Sequence, residues 1–275
     1  MVRAVTRLRL RFLGTGTSFG VPQVACACAV CRSTDPRDRR TRCGALIEVE
    51  DGAGQILRLL IDTPPELRLQ LVANDIRSVD AVLFTHEHAD HIHGIDDLRM
   101  MTMHRGEALP LYAEAVTLAT LQQRFPYIVD DALLPVPGTT RPEGRLVPIT
   151  AGLPFDVHGV SILPIAVPHG RTSVVGFRVG DLAYITDAKC LPPEALEAVR
   201  GVRVLVLNAL LRTPHPTHLS ISEAVETARL VGAERTYFTH LTHHNFHAAL
   251  LAELPAGIEP AYDGLCVDVS GAPTA

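Results

Sequence analysis

The sequence predicts an α/β chain folded as an αββα sandwich, with two mixed β-sheets packed face to face and helices outside. Strand-like runs dominate the first half, and helices alternate with strands in the second. Two of the runs, Ala81–Phe84 and Val204–Leu207, are continuously apolar, as strands covered on both faces tend to be. The 20 glycines and 20 prolines supply turns between short elements rather than a helical bundle.

In chain order, strands are expected at Leu8–Leu13, Gly44–Val49, Ile56–Ile61, Ala81–Phe84, Val160–Ala166, Val174–Val179, Leu182–Ile185, Val202–Leu207 and Arg235–Phe238. Each is an apolar or alternating run bounded by turn residues. Helices are expected at Pro64–Ala73, Ala113–Phe125, Pro192–Val199, Ile221–Val231 and Phe246–Leu251. Ser220 and Glu223 have capping-box spacing at the start of Ile221–Val231. Pro135–Gly144, rich in Pro and Gly, reads as a loop too short to mark a domain boundary. No period repeats and no segment has low complexity, so residues 1–275 are read as one domain.

Composition narrows the function classes. A hydrophobic fraction of 47% and a charged fraction of 20% describe an ordinary globular chain. Lys189 is the only lysine, so arginine carries nearly all the positive charge. A net charge of −5 argues against a long nucleic acid as partner, and the basic run Arg32–Arg42 is interrupted by Asp35 and Asp38. Such a local patch suits a small phosphorylated ligand. Met1–Arg11 alternates basic and apolar residues, which reads as a first strand rather than a signal peptide. No stretch has the length of a membrane span. Of six cysteines, three lie within Cys26–Cys31, which suits a metal site in a reducing compartment, and the cytoplasm is the expected location.

The chemistry concentrates in Thr85-His86-Glu87-His88-Ala89-Asp90-His91, directly after the buried strand Ala81–Phe84. In an extended or turning chain His86 and His88 can point one way while Asp90 and His91 fold toward a neighbouring point. Imidazole and carboxylate hold Zn²⁺, Mn²⁺ or Fe, and one such run can serve two ions about 3.5–4 Å apart. The competing reading is a solvated loop that happens to be rich in histidine. Against it, further ligand types stand at strand ends: His169, Asp187 and His240, with Asp62 after Ile56–Ile61.

HxHxDH, followed by an isolated histidine, an aspartate and a final histidine, resembles the metallo-β-lactamase superfamily. The resemblance runs from the GTGT turn at Gly14 to His243. It implies the metallo-β-lactamase fold, with His86, His88 and His169 on a first ion, and Asp90, His91 and His240 on a second. Asp187 would bridge the two, and Asp62 would orient the histidine loop rather than bind metal.

Cys26, Cys28 and Cys31 stand in C-x-C-x-x-C spacing, three thiols lacking one ligand of a closed tetrahedral zinc site. Cys43, Cys190 and Cys266 lie alone and read as ordinary cysteines. The run Thr239–His244 offers the missing ligand, with His243 expected and His244 its rival. The arrangement is similar to the PhnP family of phosphodiesterases, which implies a structural zinc on Cys26, Cys28, Cys31 and His243. The same resemblance, shared with the ribonuclease Z family, implies that His218 assists the phosphate and its leaving group as general acid. His218 lies two residues before a helix start whose backbone N–H groups can meet an anion. Asp90 is a lesser candidate as proton acceptor. His93, His104, His158, His215 and His247 have no partner pattern.

Gly16-Thr17-Ser18-Phe19-Gly20 matches a nucleophile elbow letter for letter, but Pro22 and the cysteine loop follow where a helix should. Ser18 therefore reads as part of a tight turn. After Gly14-Thr15-Gly16 the third glycine of a nucleotide loop falls at the wrong spacing, and no helix begins.

The implied activity is metal-assisted hydrolysis of small cyclic or linear phosphodiesters, nucleotide or ribose phosphates, with two active-site ions (Zn or Mn, or Fe). Alternatives stay open. A ribonuclease Z-like nuclease normally carries a basic arm, and Pro135–Arg145 contains only Arg141 and Arg145. Lactam, acyl or thioester hydrolysis would leave His218 without a role. The chain is also similar to the PqqB family, which implies a metal-binding protein of cofactor biosynthesis without hydrolytic turnover. No membrane partner is expected, and a homodimer is implied only by the resemblance.

Overall fold

The computed structural model describes residues 5–270. In chain order its strands are β1 (Val5–Gly14), β2 (Gly44–Asp51), β3 (Ile56–Ile61), β4 (Ala81–Leu83), β5 (Leu109–Ala113), β6 (Gly144–Pro148), β7 (Phe155–Val157), β8 (Val160–His169), β9 (Thr172–Val179), β10 (Leu182–Ile185), β11 (Val204–Asn208), β12 (Arg235–Thr239), β13 (Ile258–Pro260) and β14 (Cys266–Asp268). They form two seven-stranded sheets, ordered β14-β1-β2-β3-β4-β5-β6 and β13-β12-β11-β10-β9-β8-β7. Each sheet is mixed. β14 to β3 pair antiparallel and β3 to β6 parallel, while β7 to β10 pair antiparallel and β10 to β13 parallel.

The helices are α1 (Leu67–Ala73), α2 (Ala89–Ile92), α3 (Arg99–Arg105), α4 (Ala115–Arg124), α5 (Pro126–Val129), α6 (Pro193–Ala198), α7 (Ile221–Val231) and α8 (His247–Glu253). None of the described helices is long and apolar enough to cross a membrane.

Period-two alternation explains the layers. Ala81 and Leu83 of β4 join Leu10, Phe12, Phe177 and Val206 in the core between the sheets. Val82 and Phe84 face the other way, against Leu67 and Leu71 of α1 and Leu121 of α4. Likewise Val204 and Val206 of β11 face inward, while Leu205 and Leu207 pack with Ala224 of α7 and Leu250 of α8. A strand buried on both faces has no polar position left, which is why these runs are continuously apolar. Each large apolar side chain so buried stabilises by about 1.5–3 kcal/mol.

All nine expected strands are present, with ends shifted by a few residues. Val5 already belongs to β1, and Met1–Ala4 lie outside the described residues. Five strands escaped the sequence pattern. Leu109–Ala113 carries Pro110 and runs straight into α4, so the expected helix Ala113–Phe125 begins in fact at Ala115. Gly144–Pro148 lies at a sheet edge and is largely uncovered. Phe155–Val157, Ile258–Pro260 and Cys266–Asp268 have three residues each, too few to show a period. Pro64–Glu66 form a turn ahead of α1 rather than its first turn. Residues 135–143 form a loop without strand or helix.

Candidate metal centre

Parallel pairing brings the strand ends that matter to one rim. Ile61 pairs with Leu83, and Ile185, Leu207 and Phe238 lie in register across β10, β11 and β12. The residues just beyond these ends therefore meet. Three of them, Asp62, Asp187 and His240, have φ values of 60°, 59° and 57°, left-handed backbone that non-glycine residues rarely adopt. At each, the chain leaves its strand sharply and turns the side chain into the rim. Such strain is a feature of sites that the surrounding fold over-determines.

The HxHxDH run divides as its spacing suggests. His88 is still extended, with φ −64° and ψ 150°, and caps the one-turn helix α2 that carries Asp90 and His91. The ligand-type atoms of His86, His88 and His169 lie within 4.8 Å of one another, and so do those of Asp90, His91 and His240. Asp187 stands between the two trios. Its Oδ1 is 3.7 Å from His91 Nε2, and its Oδ2 is 3.9 Å from His86 Nε2 and 3.5 Å from His240 Nε2.

Asp62 binds its neighbours rather than the centre. Its carboxylate is 2.7 Å from His91 Nδ1 and accepts from Thr85 N and Thr85 Oγ1, both at 2.8 Å. This fixes the His91 ring with Nε2 toward the centre. His169 Nδ1 is likewise 3.1 Å from the Thr217 carbonyl oxygen.

Electrostatics at His86, His240 and Asp187 suit metal coordination. Burial pushes the pKa of His86 well below its usual value and that of His240 down to about 4, which favours the neutral imidazoles that metals require. Burial would raise Asp187, but His240, His91, His218 and His86 around it hold it well below the carboxylate range. Burial opposes a charge on His91, yet Asp62 and Asp187 outweigh it and raise that group. Buried His91 Nε2 and both ring nitrogens of His240 have no hydrogen-bond partner. Orphaned donors and acceptors this deep are costly unless something else binds them. With mixed imidazole and carboxylate ligands converging on them, the residues fit divalent metal ions.

His218 joins the same cluster. Its Nε2 is 3.3 Å from Asp187 Oδ2, its Nδ1 is 2.7 Å from Thr217 Oγ1, and its ring stacks on His240 with centroids 4.7 Å apart. The expected anion site at the helix start is corrected by the capping box. Ser220 N donates to Glu223 Oε2, Glu223 N to Ser220 Oγ, and Ile221 N to the Leu211 carbonyl. Those N–H groups are taken, and Glu223 and its partner Lys189 occupy the helix end.

A second cluster stands beside the first. Cys26, Cys28 and Cys31 Sγ lie 3.2, 3.7 and 3.5 Å from His243 Nδ1. His244 turns away, with its Nδ1 3.1 Å from Thr242 Oγ1. Cys43, Cys190 and Cys266 are free and apart from it. Four converging soft and borderline donors fit a closed tetrahedral zinc site.

Two residues that tie this rim together have no motif in the sequence. Arg40 is fully buried and donates to the Thr242 and Asn245 carbonyls at 3.1 and 2.9 Å, clamping the loop that carries His243. Asp263 accepts from Thr15 Oγ1, Thr41 N and Thr41 Oγ1 at 2.6–2.7 Å. Arg40 sits in a basic run that looks solvated, and Asp263 in a short turn, so only long-range contacts reveal them.

Comparison with known proteins agrees with this geometry. A family model described as the beta-lactamase superfamily domain matches residues 57–241. A crystal structure of a new diphosphatase from the PhnP family superposes with a TM-score of 0.86 at 37% identity, over 96% of this chain and 98% of that one. Zn²⁺-bound PqqB from Methylobacterium extorquens shares the fold, with a TM-score of 0.73 at 22% identity over 94% of this chain and 99% of that one. The octanoyltransferase of Porphyromonas gingivalis is 40% identical over 260 residues, 94% of this chain and 51% of that protein. A ribonuclease Z of Bradyrhizobium sp. is 27% identical over 169 residues, 60% of this chain and 51% of that protein. The chain spans about half the length of the curated relatives it matches. The matched family region holds both ligand trios, and the likeness to the diphosphatase structure extends over nearly the whole chain. This chain belongs to the metallo-β-lactamase superfamily, made up mostly of metal-dependent hydrolases, in its PhnP-like branch.

Proposed function

We propose that this chain hydrolyses small cyclic or linear phosphodiesters at a dinuclear metal centre, with a separate structural zinc. His86, His88 and His169 hold one ion, Asp90, His91 and His240 the other, and Asp187 lies between them. Cys26, Cys28, Cys31 and His243 hold the zinc. Divalent ions in such a site, zinc, manganese or iron, acidify water and offset negative charge on phosphate oxygens.

The observation that carries the reading is His218, an imidazole outside both trios and at their edge, with its ligand-type atom within 4.8 Å of those of His169 and Asp187. Thr217 Oγ1, 2.7 Å from Nδ1, anchors one ring nitrogen and leaves Nε2 facing the centre. There it is positioned to protonate a departing alkoxide. Asp187 Oδ2, 3.3 Å from Nε2, holds the orientation of the ring. Acyl and lactam hydrolysis leave this group idle. Support also comes from the 37%-identical relative, described as a diphosphatase, which acts on phosphorus. The octanoyltransferase name belongs to a protein of which this chain matches half. Ser18 offers no acyl acceptor of the elbow type, since it lies in a turn without a following helix.

The test is hydrolysis of bis(p-nitrophenyl) phosphate by the full chain with Zn²⁺ or Mn²⁺, beside an octanoyl thioester. Expected is metal-dependent diester cleavage, abolished by His88→Ala and lowered by His218→Ala with metal content unchanged. Cleavage of the thioester alone overturns the substrate class. Loss of metal in His218→Ala makes that residue a ligand rather than an acid.

A further inference from the structure

Gly16–Gly20 forms a closed turn beside the metal centre. Gly20 N donates to the Thr17 carbonyl at 2.8 Å, and Gly20 takes the left-handed φ of 65° that the turn needs. The turn is tied on both sides. Thr17 N donates to the Leu241 carbonyl at 3.3 Å, next to His240, and Arg42 Nε donates to the Ser18 carbonyl at 3.1 Å. Val21 and Arg40 exchange both backbone hydrogen bonds at 2.8 Å. This fixed turn presents Phe19 with 63% of its surface exposed.

Phe19 stands on the wall of a cavity of about 360 Å³ that it shares with Leu210, Leu211, Gln23, His244 and the candidate acid His218. The volume lies in the range of small-molecule sites. Among the described residues lining it, none is Lys, Arg, Asp or Glu. A second phosphate or a phosphosugar would call for fixed cations, and this wall supplies none beyond its histidines. It offers instead an aromatic face, two leucines and neutral hydrogen-bonding groups, the surroundings that a flat, uncharged heterocycle fits.

We propose that this cavity takes the nucleobase of a nucleoside phosphodiester, with Phe19 as its stacking face and Leu210 and Leu211 contributing apolar lining. The assignment rests on the phosphodiesterase reading for the phosphate, and it narrows the substrate from any small diester to nucleotides. It also gives the G-T-S-F-G stretch a role, presentation of Phe19.

The chain has no tryptophan, so Phe19→Trp installs a single indole at the proposed platform, at an exposed position that tolerates the exchange. The zinc-loaded full chain carrying it is titrated with adenosine 5′-monophosphate and, separately, ribose 5-phosphate, following indole fluorescence. Expected is quenching by the nucleotide at a half-saturation at least about tenfold below that of the sugar phosphate, the scale of one base–aromatic stack. Adding Leu211→Asp removes the advantage. Equal response to the two probes, no response to the nucleotide, or quenching that survives Leu211→Asp overturns the proposal. If bis(p-nitrophenyl) phosphate is not cleaved while selective quenching persists, the phosphodiesterase reading falls and the base site stands. If the diester is cleaved and the nucleotide has no advantage, the base site falls alone.

Discussion

Replacing Asp62 by Asn exchanges one buried oxygen for an amide nitrogen and leaves the shape nearly unchanged. Asn tolerates the left-handed φ of 60° found there, so no backbone strain is added. The carboxylate serves three partners at 2.7–2.8 Å: Thr85 N, Thr85 Oγ1 and His91 Nδ1. An asparagine has one acceptor oxygen, so its NH₂ must face either the Thr85 amide or the His91 ring. A hydrogen bond to a charged group contributes about 1.5–3 kcal/mol, and 1.4 kcal/mol is a factor of ten. Losing it is therefore expected to weaken binding by roughly 10- to 100-fold, the range found for outer partners of ligating histidines. His91 belongs to one ligand trio and not the other, so one active-site ion is affected most. The assay is titration of the metal-free chain with Zn²⁺ against a chromogenic chelator, with circular dichroism as a control for folding. Affinities unchanged within about twofold would refute the reasoning, because Asp62 would then orient nothing that the metal feels. Simultaneous loss of the cysteine-bound zinc would refute it too, by showing a general collapse of the rim.

Three further outcomes follow from the same geometry. Cys28→Ser is expected to lower bound zinc by one equivalent per chain by elemental analysis while diester cleavage keeps its metal dependence, since the cysteine cluster shares no ligand with the other trios. Unchanged stoichiometry contradicts this. Arg40→Met keeps the apolar stem but strips the Thr242 and Asn245 carbonyls of their donor, at a cost of about 2–4 kcal/mol in urea unfolding. A loss within experimental error would show that the clamp is redundant. Burial raises Asp263 to about 6, against the pull of hydrogen bonds from Thr41 and Thr15. Its unfolded value is near 3.9, so as the pH falls through 6 toward 4 the folded state takes up the proton first and stability rises by roughly 1 kcal/mol per pH unit. Asp263→Asn removes that rise. The difference in stability between wild type and variant, measured at pH 7 and pH 5, cancels the histidines, and parallel profiles would contradict the assignment.

Much of this protein is written in neighbouring residues. Alternation in Ile56–Ile61 and the apolar runs Ala81–Phe84 and Val204–Leu207 follow from period-two exposure of strands, so the sandwich could be read before any contact was known. The HxHxDH run is local in the same sense, because an extended His86–His88 pair followed by one helical turn divides its ligands between two points. Capping of α7 by Ser220 and Glu223 is legible for the same reason, a bond between residues three apart. The three-residue strands at the sheet edges are not, since pairing partners far along the chain create them.

Tertiary structure alone decided the rest. Cys31 and His243 are 212 positions apart, and only the placement of their loops distinguishes His243 from His244. The same is true of Arg40, which looks solvated in its basic run and is buried because the loop after β12 closes over it. The helix start that seemed free for an anion is filled by its own cap. Phe19, unremarkable in a glycine-rich turn, acquires a neighbour in His218 only when distant segments form one cavity wall. Short-range hydrogen bonding and hydrophobic periodicity are properties of neighbours in sequence. Which side chain completes a site, and which is left facing an opening, is a property of packing between segments that the sequence keeps far apart.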